Sequence, residues 1–176
     1  EILDHGIGEK CLGHLRRGGL RFLGGGGFQL DPEDLARANV VNGYGGVQQA
    51  FGIWLEDCGG AAPWIVDNEI ITTQGNSGNT VVNAVRSMGA CHPVIDGNKQ
   101  ILGGSEGQAH NPIGVYCGLQ NGAASKCTIV NNAAIRGSGA CFPPTSVGIR
   151  CDDGGCNRIA NNALVTGRGA ATDSVG

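Results

Sequence analysis

Charge and aromatic side chains are scarce in this chain. Asp, Glu, Lys and Arg make up 15% of its 176 residues and aromatics 5%, where an ordinary soluble domain carries about 25% charged residues. The formal net charge is -3. Without a basic surplus there is no electrostatic footprint for nucleic acid, and no nucleic-acid partner is expected. No apolar run of about 18 residues occurs, so no transmembrane segment is expected. The Gly-X-Y period of collagen is missing. A disordered tail is excluded from the other side, because 40% of the residues are hydrophobic. There is no Cys-x-x-Cys, no His at zinc-finger spacing from the cysteines, and no Gly-Lys-Ser/Thr phosphate loop. Neither a metal nor a cofactor is expected.

Glycine and cysteine are what the chain has in plenty. There are 33 Gly and 8 Cys. So many glycines predict many turns. Val, Ile and Thr gather in short clusters bounded by Gly, Asn, Asp and Ser, which predicts many short strands. An even cysteine number in such a chain points to disulfides and an oxidising, extracellular or cell-surface location, free thiols being the alternative. Glu1 is not an initiator Met, so the expectation is a mature or excised chain.

Three segments repeat one design. Residues 52–73, 114–137 and 148–167 each run through Gly, an aliphatic residue, a polar turn, a second aliphatic stretch, Asn and a third aliphatic stretch. A weaker copy spans 80–104. The second aliphatic position is Ile65, Ile95, Ile129 and Ile159, at spacings of 30, 34 and 30. Asn68, Asn98, Asn132 and Asn162 follow at the same spacings. The third column is read as Ile70, Ile101, Ile135 and Leu164. The first is read as Ile53, roughly Val82, Val115 and Ile149. One such unit of about 30 residues cannot bury its apolar side alone, so units must stack as coils. Each coil then supplies three short strands, and identical turns form ladders. Asn suits the turn column because it tolerates the left-handed region and its amide can bond along the stack.

The I-x-x-N-x-I-x-G pattern with its G-I-x-C strands resembles the right-handed parallel β-helix family. That family includes pectate lyases, polygalacturonases and phage tailspikes. The nearest likeness is to Cys-bearing, Asn-ladder repeats of secreted bacterial proteins. The resemblance covers residues 39–169 and implies an all-β, single-domain parallel β-helix. Residues 1–38 are expected to form an irregular leading coil or cap, and residues 170–176 a C-terminal tail. Within 1–38, Asp31-Pro32 followed by acids predicts either a helix of about two turns or a leading coil that sets Leu35 in the column before Ile65.

The cysteines fit this arrangement. Cys117 with Cys127, and Cys151 with Cys156, flank one turn in successive coils and are expected to staple it. Cys58 and Cys91 are expected to bridge neighbouring coils. Cys11 and Cys141 have no assigned partner.

Three functions are carried forward. The first is an extracellular structural or surface protein that self-associates end to end through its coil ends, because no cap motif follows Gly167 in the sequence. The second is an extracellular polysaccharide-binding module. If Ile53, Val115 and Ile149 face in, then Trp54, Tyr116 and Arg150 face out on one sheet, where the rings could stack on sugars; scattered surface residues are the alternative. The third is a small polysaccharide lyase or hydrolase using Arg150, Asp152 and Asp153. Asp152-Asp153 vaguely resembles the paired acids of polygalacturonases, but the remaining motifs of that signature are missing, and turn acids such as Glu56-Asp57 are commonly only solvated.

Overall fold

The longest strand of each coil is rich in β-branched and aromatic residues and carries the first apolar column. These strands are Gln49–Glu56, Val81–Met88, Pro112–Gln120 and Ser146–Cys151, and they pair in parallel in chain order. A second sheet stacks Leu35–Arg37, Trp64–Val66, Val94–Asp96, Cys127–Val130 and Cys156–Ala160. A third stacks Val40–Tyr44, Ile70–Gln74, Ile101–Leu102, Ile135–Arg136 and Val165–Thr166. The computed structural model is thus an all-β, parallel β-solenoid of about 3 turns with roughly 30-residue spacing. It describes residues 49–74, 81–104, 111–138 and 146–167, and short strands at 21–23, 27–29, 35–37, 40–44 and 174–175.

The core is a set of columns along the stack. Ile65 pairs with Ile95, Ile95 with Ile129 and Ile129 with Ile159. The first three are fully buried, each side chain contributing about 1.5–3 kcal/mol by leaving water. The other two columns need correcting. The third runs Ile71, Ile101, Ile135 and Val165, not through Ile70 or Leu164. Each of its members lies three residues after a ladder asparagine, which is the step the two-residue turn imposes. The first runs Ile53, Val85, Val115 and Ile149, with Val85 in place of Val82. Val82 is buried too, but with Ala50 in a separate small cluster.

Residues 35–37 form a strand rather than a helix, with Ala36 rather than Leu35 opposite Ile65. Pairing to Trp64–Val66 satisfies that backbone, whereas a two-turn helix carries its full nucleation cost. Strand Arg21–Leu23 folds back antiparallel on Gly27–Gln29, which joins the first sheet beside Gln49–Glu56. In the tail, Ser174–Val175 pairs with Ser146 and Val147.

The asparagine ladder holds the second turn. Asn98 Oδ1 accepts from the backbone N–H of Asn68 at 3.0 Å and from its Nδ2 at 2.8 Å. Asn132 does the same for Asn98, and Asn162 for Asn132. Each Nδ2 also donates to the Ile carbonyl one coil back: Asn98 to Ile65, Asn132 to Ile95, Asn162 to Ile129. The left-handed residue is not the ladder asparagine but the one before it: Asp67, Gly97, Asn131 and Asn161 have φ of 53, 65, 55 and 55°. That residue reverses the chain, which leaves the next amide pointing inward along the stack.

Three disulfides cross-link the described residues. Cys58–Cys91 joins two coils, with Cα atoms 4.7 Å apart. Cys117–Cys127 and Cys151–Cys156 each close a turn of their own coil, at 6.4 and 5.5 Å. Cys58, Cys91, Cys117 and Cys127 are buried, whereas Cys151 is exposed. Cys11 and Cys141 lie outside the described residues.

Candidate binding groove

A row of small residues faces inward from the first sheet, toward the third. Pairing in the four long strands skips Gly52, Ala84, Gly114 and Gly148. A Cβ on Gly114 would stand 2.6 Å from the Gly148 carbonyl oxygen and 2.9 Å from that of Arg136, so the third coil has no room for a side chain there. Residues on both sides of this row line one shallow groove of about 210 Å³: Val81, Asn83, Asn111 and Ile113 before it, Arg86, Tyr116 and Arg150 after it. The outward surface is therefore concave at this row.

Four side chains stack across the strands at one register: Trp54, Arg86, Tyr116 and Arg150. Aromatic and cation alternate. The Arg86 guanidinium lies 4.7 Å from the Tyr116 ring centre and 5.5 Å from that of Phe51. Arg150, on the strand beyond, lies 5.8 Å from the Tyr116 ring. Phe51 is 3% exposed yet stands outside the main core cluster, its ring centre 5.1 Å from that of Trp54. Arginine over an aromatic face gains about 0.5–2 kcal/mol, more as water is excluded.

Asp152 organises one end of the row. It accepts from the Tyr116 hydroxyl at 3.0 Å and from Arg150 Nε at 3.0 Å. The Arg150 hydrogen bond holds the Asp152 carboxyl below its ordinary value, and the same bond raises Arg150. Burial raises the Tyr116 phenol, with the Asp152 hydrogen bond adding to it. Burial lowers Arg86, although an arginine stays charged at any physiological pH. With its amide turned to satisfy both ends, Asn83 donates to the Val82 carbonyl at 2.9 Å and accepts from Arg86 Nη1 at 3.0 Å.

The structure thus brings Tyr116, Arg150 and Asp152 together. Trp54 stands further along the row, beyond Arg86, and outside the groove lining. Asp153 sits exposed in the turn, with φ of 51°. Arg86 is the main residue that sequence reading missed. It follows the buried Val85, so placing that column at Val82 hid it. An acid serving as proton donor in glycoside cleavage needs a raised value; Asp152 is shifted the other way. Glu56 bonds to Gln120, and Asp57 Oδ2 accepts from Asn121 at 3.0 Å, so these turn acids tie coils together. Among the described residues, no three His, Cys, Asp or Glu side chains converge as a metal site, and no helix is long and apolar enough to cross a membrane.

The ring faces are not bare platforms. Tyr116 has a guanidinium from the strand on either side, and Trp54 packs on Phe51. What the groove offers a ligand is guanidinium, side-chain amide and ring edge. No family model, curated protein or solved structure matches the chain.

Proposed function

We propose that this chain is an extracellular surface solenoid that binds a polysaccharide along the outward face of its first sheet. The observation that carries the reading is the in-register row Trp54–Arg86–Tyr116–Arg150 beside a concave groove. A groove on a rigid stack of strands is pre-organised, so little ordering cost is incurred on binding. Guanidinium and amide groups supply hydrogen bonds to hydroxyl and ring oxygens, and ring edges supply apolar contact. The three disulfides fit an oxidising location. The test is a glycan panel probed with the intact, non-reduced chain and with Tyr116→Ala. A bound glycan whose affinity falls at least several-fold in the variant supports the reading. Absence of binding across the panel overturns it.

End-to-end assembly is the second reading, favoured by the coil that contains Ile159. Ile159 is 49% exposed and Val165 half-buried, whereas Ile129 and Ile135, their equivalents one coil back, are fully buried. A second copy stacked on that coil would bury this surface and pair the outer edges of Cys156–Ala160 and Val165–Thr166, which no described strand covers. Filaments seen by electron microscopy, and lost in Ile159→Asp, support it. A monodisperse monomer at high concentration refutes it.

A further inference from the structure

Of the two cations that line the groove, Arg86 and Arg150, Arg86 is the one without an acid partner. Lys99 pairs with Glu69, and Arg150 with Asp152. Arg86 is half-buried and lines the groove, yet no carboxylate of the described residues lies within ion-pair distance of it. Glu56, whose charge acts on Arg86 without contact, is bonded to Gln120. Its guanidinium donates to the Asn83 amide oxygen, and the Phe51 and Tyr116 rings flank it. A guanidinium has five donors in a planar fork suited to a carboxylate or sulfate. Partial burial of that charge without a counter-ion is costly, and an anion arriving from solution would relieve the cost.

We infer that the groove selects an anionic polysaccharide, with one carboxylate or sulfate group seated on Arg86. This rests on the polysaccharide reading above and names the ligand class for that site. Arg150, on the far side of Tyr116, is the second cation at the groove. It keeps its Nη groups for a ligand, since its bond to Asp152 uses Nε. Asp152 does not occupy Arg86, because its oxygens bond to Arg150 and Tyr116. A groove of about 210 Å³ is smaller than the roughly 300 Å³ of a small-molecule pocket, so it holds one charged residue of a polymer whose neighbours run on along the row. The chain as a whole is acidic, at -3. General charge attraction therefore does not bring such a polymer in; the local pair of arginines does.

Isothermal titration of the intact, non-reduced protein tests this with matched probes: a polyuronate oligosaccharide, a sulfated galactan oligosaccharide, and the carboxyl-reduced and desulfated forms of each. The expected result is binding of at least one charged form roughly tenfold or more tighter than its neutral counterpart, weakening as salt rises. In Arg86→Gln the charged and neutral forms should come within about twofold of each other. Whichever charged probe binds tells carboxylate from sulfate. Equal binding of neutral and charged forms, lost in Tyr116→Ala, overturns the anionic inference and leaves the polysaccharide reading intact. Absence of all binding overturns both. Undiminished charge discrimination in a folded Arg86→Gln overturns the assignment to Arg86. Should that variant not fold, the salt series on the native protein decides: affinity for the charged probe unchanged from low to high salt overturns the inference.

Discussion

Replacing Asn98 with Ala removes one rung of the ladder from a fully buried position. Its Oδ1 accepts the backbone N–H of Asn68, and its Nδ2 donates to the Ile65 carbonyl at 2.9 Å and to Asn132 Oδ1. The substitution takes the partner away from one buried N–H and one buried C=O of the preceding coil. Each such loss costs about 1–3 kcal/mol, so the expected destabilisation is about 4 kcal/mol, a large share of the ~5–15 kcal/mol of a typical domain. Asn162→Ala breaks equivalent bonds to Asn132 and Ile129. Asn162, however, is only half-buried, so water replaces part of what is lost and the cost falls to about 1 kcal/mol. Urea unfolding of the non-reduced protein, followed by far-UV circular dichroism, measures both. Equal midpoint shifts, or a loss below about 1 kcal/mol in Asn98→Ala, would refute the view that the buried ladder supports this turn. Asn98→Asp sharpens the test. It sets a carboxylate against the Ile65 carbonyl and Asn132 Oδ1, so it should destabilise at neutral pH and recover as acid protonates it.

Gly114→Ala should lower stability by about 2–3 kcal/mol, because its Cβ meets backbone carbonyls. Gly122→Ala, in the Asn121-Gly122 hairpin loop with open space around it, should cost only the ~1 kcal/mol of its positive φ; thermal melts compare the two. Removing Cys58–Cys91, which spans 33 residues, should cost about 4 kcal/mol, and removing Cys151–Cys156, which spans 5, about 2 kcal/mol. Graded reduction with alkylation and mass spectrometry should open Cys151–Cys156 first, since Cys151 is exposed. Asp152 titrates below its ordinary 3.8. Its contribution is therefore complete above about pH 4 and is lost as pH falls through the lower folded value. Acid unfolding of Asp152→Asn should lack this segment of pH dependence.

The second sheet was legible in the sequence because its signal is positional. Ile65, Ile95, Ile129 and Ile159, with Asn three residues on, recur at steps of 30, 34 and 30, and only a stack gives such steps a meaning. The first sheet was harder to read. Its strands pass a row of Gly or Ala, and inward residues fall on both sides of that row, so simple alternation loses count. Val82 and Val85 are both buried, and choosing the earlier one shifted the second coil by three residues and hid Arg86. The Asn68 turn misled more subtly. Asn tolerates the left-handed region, but Gly97 and Asp67 take that conformation in the residue before the ladder, and propensity alone does not say which of two adjacent turn residues reverses the chain. Asp152 was noticed as an acid. Its bonds to Tyr116 and Arg150 depend on three-dimensional register, which one sequence does not carry.

The placement of the disulfides has a mechanical consequence. Among the described disulfides, Cys58–Cys91 ties one coil to the next, while the other two close loops inside their own coils. Under tension along the chain, the 33-residue span between Cys58 and Cys91 is short-circuited, and about 110 Å of contour length stays out of reach of the pulling force. Among the described residues, no disulfide links the coils between Cys91 and Cys117 or between Cys127 and Cys151, where strand pairing, packing and the ladder hold neighbouring coils. Stretched in an oxidising medium, the molecule should keep the span from Cys58 to Cys91 as a knot of fixed size.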